Sequence, residues 1–108
     1  MVNLSAKDFS DLVAVLAKLE DWRSVSGRIA LTADALQGSP RQDDILGQLN
    51  LDGSPASTAG RAIRQLADFG HVTPNQEALG VLINHILGLT GEENGEFQRG
   101  LIETYAMD

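Results

Sequence analysis

The architecture of the chain follows from residues 73–89, which read TPNQEALGVLINHILGL. Thr73 can cap a helix, Pro74 suits the first helical position, and Gln76 can reach back to the amide of the cap, so we expect a helix over residues 73–89. At 100° per residue, its large apolar side chains fill about half of the circumference. They are Leu79, Leu82, Ile83, Ile86, Leu87 and Leu89. So wide an apolar arc requires cover on several sides, which predicts a central helix in a bundle.

Five further segments repeat apolar residues at helical spacing, and we expect a helix in each. They are residues 5–20, 21–38, 39–50, 54–70 and 92–105. Ser-Pro pairs at 39–40 and 54–55 repeat the Thr-Pro start of the central helix, and Gly70 is expected to be a left-handed stop. No stretch of four or more residues alternates apolar and polar side chains as a strand would. The sequence therefore predicts an all-α, six-helix antiparallel bundle with no sheet.

The start of the second helix, over residues 21–38, is the least well defined, because SVSG at residues 24–27 is a poor helix former. Its expected inward face consists of Trp22, Val25, Ile29, Ala33 and Leu36. Glycines inside predicted helices each cost about 0.5 to 1 kcal/mol relative to alanine. The fold either tolerates them as background or uses some of them for close helix crossings. Gly60 and Gly80 border the apolar arcs, so they are the candidates for such crossings.

Chain length, cysteine content and net charge limit the class of protein. With 108 residues we expect a single domain over residues 1–108 with one modest core. The absence of cysteine excludes disulfides, thiolate catalysis and cysteine-ligated metal. A net charge of −7 opposes binding to a nucleic-acid phosphate backbone. The N-terminal MVNLSAKDFSDL has early acids and no long apolar run, so we expect no signal peptide, no membrane association and a cytoplasmic location.

The residues indicate no catalytic centre, cofactor site or metal site. His71 and His85 are the two imidazoles, and the sequence identifies no nucleophile or orienting partner for either. Two histidines without cysteine make a poor zinc site. Asp43 and Asp44 are adjacent, so on a helix they point about 100° apart, which favours a solvated face over a paired-carboxylate mechanism. We therefore expect a non-catalytic domain.

The surface carries charges of both signs. The expected interaction residues are Arg61 and Arg64 on the fourth helix, Glu92, Glu96 and Glu103 on the sixth, and Leu31 on the second. One interpretation is an ordinary solvated surface, in which Arg64 pairs with Asp68 at i+4. The other is two complementary faces that stack copies of the domain head to tail. Leu31, like Val15 and Val81, lies off the apolar arc of its helix, so it is either packed by neighbours or an exposed contact point.

Five segments carry a resemblance to a known family: Arg28-Ile29-Ala30-Leu31, Leu49-Asn50-Leu51-Asp52-Gly53-Ser54-Pro55, residues 66–70, Ala78-Leu79-Gly80-Val81-Leu82 and Gly91. Each segment alone is ordinary helix-cap and core sequence. Their order and spacing extend over nearly the whole chain. Taken together, they resemble the bacterial effector-associated, death-fold-like domains that include the bacterial CARD-like domains.

This resemblance implies a death-fold bundle and a recruitment domain that binds a partner with a similar domain, or a weakly associating copy of itself, through like-with-like contacts. Members of the family sit at an end of proteases or NTPases in bacterial anti-phage systems, some of them associated with gasdermin pores. The resemblance implies no catalytic residue and no cofactor. The residues alone leave open a free-standing regulatory or ligand-binding helical domain, which an apolar cavity would favour. They also leave open a DNA-binding helical domain, which retention on a phosphate-rich column would favour.

Replacing large side chains of the central helix by alanine tests this arrangement. Leu82→Ala and Ile86→Ala are each expected to lower the free energy of unfolding by about 2 to 5 kcal/mol, because each leaves a cavity in the core. Chemical denaturation measures the change. A loss below about 1 kcal/mol, which is ordinary for a surface substitution, would place the centre of the bundle elsewhere.

Overall fold

The computed structural model describes residues 2–73, 76–87 and 92–105, with the backbone alone for residues 92–94. In these residues the chain forms six α-helices: α1 (Ala6–Lys18), α2 (Val25–Leu36), α3 (Gln42–Gln48), α4 (Pro55–Phe69), α5 (Ala78–Leu87) and α6 (Glu92–Thr104). A 3₁₀ helix (Glu20–Arg23) separates α1 from α2. Two short antiparallel strands, β1 (His71–Thr73) and β2 (Gln76–Glu77), separate α4 from α5. The predicted all-α bundle is confirmed, whereas the prediction that it has no sheet is wrong.

The α5 helix is the central helix that the sequence predicts. It contacts α2, α4 and α6. Leu79, Ile83 and Ile86 have no exposed surface, and Leu82 is 2 % exposed. The remaining buried residues of α5 are Ala78 and Gly80. A helix with so little polar surface is stable only when neighbours cover it, so the rest of the bundle packs around α5.

The start of the central helix differs from the prediction. The helix begins at Ala78, because residues 71–73 and 76–77 are extended and pair with one another. Thr73 pairs with Gln76 in this ladder. Both are therefore strand residues, and the predicted cap at Thr73 is wrong.

The conformation of the chain directly after α4 explains the pairing of β1 with β2. Gly70 ends α4 with the positive φ that the predicted left-handed stop requires, 84°, but its ψ of −138° is extended and differs from that of a left-handed helical residue. Its carbonyl accepts a hydrogen bond from the amide of Ala78 at 2.8 Å, so the two helices meet across the strands. The extended path buries Val72, a β-branched residue that favours such a backbone. The predicted roles of Pro74 and Gly91 lie outside the described residues.

The two Ser-Pro starts also differ from one another. The α4 helix begins as predicted, since the Ser54 hydroxyl accepts from the amide of Ser57 at 3.2 Å. The α3 helix begins at Gln42, so the predicted start at Ser39 is wrong. The amide of Ser39 donates to the carbonyl of Leu36 at 2.9 Å, and the carbonyl of Ser39 accepts from Gln42 at 3.2 Å. These bonds make Ser39 part of the turn between α2 and α3.

The inward face of α2 is the largest departure from the prediction. Trp22 belongs to the 3₁₀ helix, and Ser24 after it is extended, with φ −121° and ψ 153°. This residue breaks the helical phase, so Trp22 does not share a face with Val25 and Ile29. Val25 is 39 % exposed and Ile29 is 53 % exposed. The buried residues of α2 are Arg28, Leu31, Thr32 and Leu36.

The α1 helix lies against both α4 and α6. At its crossing with α4, a Cβ on Gly60 would lie 3.4 Å from the Phe9 ring, which favours the close-crossing interpretation of this glycine. At the other contact, the Tyr105 hydroxyl donates to Asp8 Oδ2 at 2.6 Å and accepts from the amide of Ser5 at 3.0 Å. The end of α6 is therefore tied to the start of α1.

Gly27 explains the poor helix-forming sequence at the start of α2. A Cβ at this position would collide with the carbonyl oxygen of Asp21 in the 3₁₀ helix. The amide of Gly27 donates to the hydroxyl of Ser24 at 3.0 Å, which caps α2. The 3₁₀ helix therefore packs on α2 only because residue 27 has no side chain.

Gly27→Ala is expected to lower the free energy of unfolding by about 1 to 3 kcal/mol, because a clash with backbone outweighs the gain in helix propensity. Gly100→Ala in α6 is the matched control, since no described atom beyond its own helical turn lies within 4 Å of the added Cβ. It is expected to stabilise the chain by up to about 1 kcal/mol. Urea denaturation of both variants measures the difference. Equal stability of the Gly27→Ala variant and the parent chain would contradict the close contact.

Candidate interaction site

The side chain of Arg28 joins three segments of the chain. Its Nε donates to the carbonyl of Trp22 at 2.7 Å, and its Nη1 donates to the carbonyls of Leu51 at 2.8 Å and Gly53 at 2.9 Å. Only 2 % of Arg28 is exposed. The carbonyl oxygens therefore replace water around the buried guanidinium, and hydrogen bonds to a charged donor are strong. They attach the 3₁₀ helix and the loop before α4 to α2.

Trp22 makes a second set of hydrogen bonds in the same region. Its indole is fully buried. Its Nε1 donates to the carbonyl of Pro55 at 3.1 Å and to the hydroxyl of Thr58 at 3.2 Å. The hydroxyl of Thr58 in turn donates to the carbonyl of Ser54 at 2.8 Å. The first turn of α4 is thus held against the 3₁₀ helix.

Arg61, a predicted interaction residue, supports the same loop. It is half-buried on α4. Its Nη1 donates to the carbonyls of Asn50 at 3.1 Å and Asp52 at 3.2 Å. A substitution of Arg61 therefore disturbs the loop as well as the surface charge.

Arg64, the second predicted arginine, is exposed on α4. Its guanidinium carbon lies 4.6 Å from the centroid of the Phe9 ring, which is a cation–π contact between α4 and α1. The ion pair with Asp68 that the sequence suggests does not form within the described residues. Arg64 therefore offers an exposed cation whose side chain is already oriented.

The predicted acidic stripe lies on α6. Glu96 and Glu103 are exposed, and the side chain of Glu92 lies outside the described residues. No ion pair joins Arg64 to Glu96 or Glu103 within the described part of the chain. Among the side chains that the structure describes, Arg64, Glu96 and Glu103 are therefore not paired with one another.

Leu31 is a core residue and not an exposed contact point. It is 3 % exposed and packs within the buried cluster of apolar side chains. Val15 and Val81 are half-buried against the same cluster. Of the two alternatives that the sequence left for these residues, packing by neighbours is the one observed.

Sequence reasoning missed a groove lined by aliphatic and polar side chains, which we call the α2–α3 groove. It has a volume of about 490 Å³ and is open to solvent. Its lining includes Val25, Ile29, Thr32, Leu46, Leu49 and Asp52. The sequence signal was the poor helix-forming run SVSG at residues 24–27. Ser24 is extended and α2 begins only at Val25, so Val25 and Ile29 are out of phase with Trp22.

The two histidines and Lys7 have polar neighbours or lie at the surface. His71 is half-exposed, and its Nε2 lies 3.3 Å from Oε1 of the buried Glu77. His85 is half-buried near the end of α5. Lys7 donates to Asp11 at 2.8 Å, and this hydrogen bond raises the pKa of Lys7 above its usual value. Among the described residues no group of three or more His, Asp or Glu side chains lies together as metal ligands would.

By its fold the chain is a small helical domain, and a comparison with known proteins places it more narrowly. The model of the family effector-associated domain 8 matches residues 6–105, and the chain belongs to this family. The resemblance to effector-associated domains is therefore confirmed, and the match extends from α1 to the end of α6. Effector-associated domains are accessory domains of effector proteins. No curated protein and no solved structure matches the chain significantly.

Within residues 2–73, 76–87 and 92–105, no helix combines the length and the apolar character that crossing a membrane requires.

Arg28→Lys is expected to lower the free energy of unfolding by about 2 to 4 kcal/mol. A lysine ammonium cannot donate hydrogen bonds in the guanidinium geometry to the carbonyls of Trp22, Leu51 and Gly53. Urea denaturation measures the loss, and faster hydrogen exchange at residues 50–53 should accompany it. Arg23→Lys is the matched control, since Arg23 is exposed. Its effect should stay within about 0.5 kcal/mol. Similar losses in the two variants would contradict the special role of Arg28.

Proposed function

We propose that this chain is the non-catalytic recruitment domain of a bacterial anti-phage effector, such as a protease associated with a gasdermin system. In this proposal it is a single interaction domain over residues 1–108, acts in the cytoplasm and needs no cofactor. It brings the effector to a partner with a similar domain, or to further copies of itself, through death-fold contacts. The observation that carries the proposal is membership of the effector-associated domain 8 family over residues 6–105.

Arg64 is the best-placed residue for a charged contact. It is exposed, and its stacking on Phe9 orients the side chain before a partner arrives, which lowers the entropy cost of binding. Glu96 and Glu103 on α6 are exposed acids of the complementary sign. A heterologous contact of this kind, in which different patches meet, can join many copies in sequence.

Such contacts are weak one at a time. An exposed ion pair contributes roughly 0 to 1 kcal/mol. Association therefore requires several pairs or several copies held at high local concentration, as in an assembled effector. We expect the isolated domain to associate weakly and the full effector to associate strongly.

Charge reversal at Arg64 tests the proposed contact in the full-length effector. Arg64→Glu is expected to reduce co-precipitation with the partner, and activation after phage infection, by about tenfold through charge repulsion. The thermal midpoint should fall by only a few degrees, because the exposed cation–π contact with Phe9 contributes about 0.5 to 1 kcal/mol. Lys18→Glu, an equal charge change at an exposed residue of α1, is the matched control and should have no effect. Combining Arg64→Glu with Glu96→Lys and Glu103→Lys should restore part of the assembly.

Two outcomes would count against the proposal. Assembly that survives Arg64→Glu and strengthens with salt would show an apolar contact, because salt screens exposed charges beyond about 10 Å at 0.1 M. An effector that still reaches its partner after deletion of the whole domain would show that recruitment is not the function of the domain.

A further inference from the structure

The α2–α3 groove presents an apolar stripe on the surface of the domain. Val25, Ile29 and Thr32 stand at i, i+4 and i+7 of α2 and line the groove over about 10 Å. Val25 and Ile29 are exposed, whereas Thr32 is buried and 1 % exposed. Leu46 and Leu49, both half-buried, complete the groove from the end of α3. Val25 and Ile29 are the large apolar side chains that remain exposed in the described part of the chain.

The loop that borders the groove is held in place before anything binds. Arg28 binds the carbonyl of Leu51, and Arg61 binds the carbonyls of Asn50 and Asp52. These bonds hold the backbone and leave the side chain of Asp52 exposed. A preformed wall reduces the cost of ordering the site on binding.

The charge of the groove favours a cationic occupant. Asp52 lines the groove, and its carboxylate makes no hydrogen bond or ion pair within the described residues. The 3₁₀ helix ends one residue before Val25 and carries the exposed acids Glu20 and Asp21 against one exposed base, Arg23. Arg61 is a further base near the loop, but it is half-buried and its guanidinium binds the backbone carbonyls of Asn50 and Asp52. The whole chain has a net charge of −7. A complementary occupant is therefore apolar on one side and positively charged at its edge.

We propose that the α2–α3 groove binds a cationic amphipathic helix of a partner protein. A helix with aliphatic side chains at i, i+4 and i+7 repeats the spacing of the stripe on α2, which is the helix-in-groove mode of recognition. A lysine or arginine beside these side chains pairs with Asp52. The inference rests on the proposed function, because it assigns the recruitment domain a second docking surface that does not include Arg64.

Synthetic helices titrated into the isotope-labelled 108-residue chain test the groove by NMR. The probe is a side-chain-bridged peptide of about 16 residues, so that it stays helical in water. It carries leucines at i, i+4 and i+7 and lysines at the flanking positions. One companion peptide replaces the leucines by alanine, and a second replaces the lysines by glutamate.

The expected result is a set of shifts confined to the groove when the leucine–lysine peptide binds. Ile29→Asp should weaken this binding by at least about tenfold, and Asp52→Asn by about threefold with a smaller salt dependence. Ala30→Asp and Asp43→Asn are the matched controls, because both residues are exposed and neither lines the groove. Both controls should bind the peptide as the parent does. Thermal unfolding checks that all four variants are folded.

Several results would overturn the inference. They are equal binding of either companion peptide, shifts that map to α6 instead of the groove, and unchanged affinity in Ile29→Asp. Groove shifts that depend on the concentration of the chain alone would also overturn it, because the occupant would then be a second copy.

The groove and the proposed function fail in different experiments. Absence of peptide binding, with domain-dependent recruitment of the full effector intact, overturns the groove alone. Peptide binding in the groove, with recruitment that survives deletion of the domain, overturns the proposed function alone.

Discussion

The buried guanidinium of Arg28 is the constraint on which the arrangement of the other segments depends. A cation without water needs acceptors on several sides, and the carbonyls of Trp22, Leu51 and Gly53 supply them. These carbonyls lie in the 3₁₀ helix and in the loop before α4, where regular helical hydrogen bonds do not use them. The charge and the irregular backbone therefore satisfy one another, and the helices on either side meet at that point.

The orientation of α2 follows from this interaction. With Arg28 directed into the bundle, Leu31, Thr32 and Leu36 share the buried face. Val25 and Ile29 are turned toward solvent as a result, although both are strongly apolar. The same arginine that stabilises the loop thus exposes the stripe of the α2–α3 groove. The stability of the loop and the proposed docking surface therefore have one structural origin.

The charged residues divide into those that support the fold and those that remain for a partner. Arg28 and Arg61 both donate to loop carbonyls, whereas Arg64 lies on the surface over Phe9. All three are arginines with similar sequence surroundings on amphipathic helices. Their roles differ because the loop at residues 50–53 lies within reach of the first two side chains.

Periodicity and caps within a few residues were enough to predict α1, α4, the body of α5 and α6, together with Ser54 as a cap and the positive φ of Gly70. These features are local, because apolar spacing and capping hydrogen bonds join residues close in the chain. The phase of α2, the strands before α5 and the α2–α3 groove could not be predicted in this way. The strands pair residues close in the chain, Thr73 with Gln76 and His71 with Glu77, but they are too short to show an alternating pattern. The phase of α2 and the groove depend on contacts between distant residues, such as Arg28 with Gly53, 25 positions apart. Such contacts outweigh local propensity because a buried charge without acceptors costs more free energy than a helix start that is displaced by a few residues.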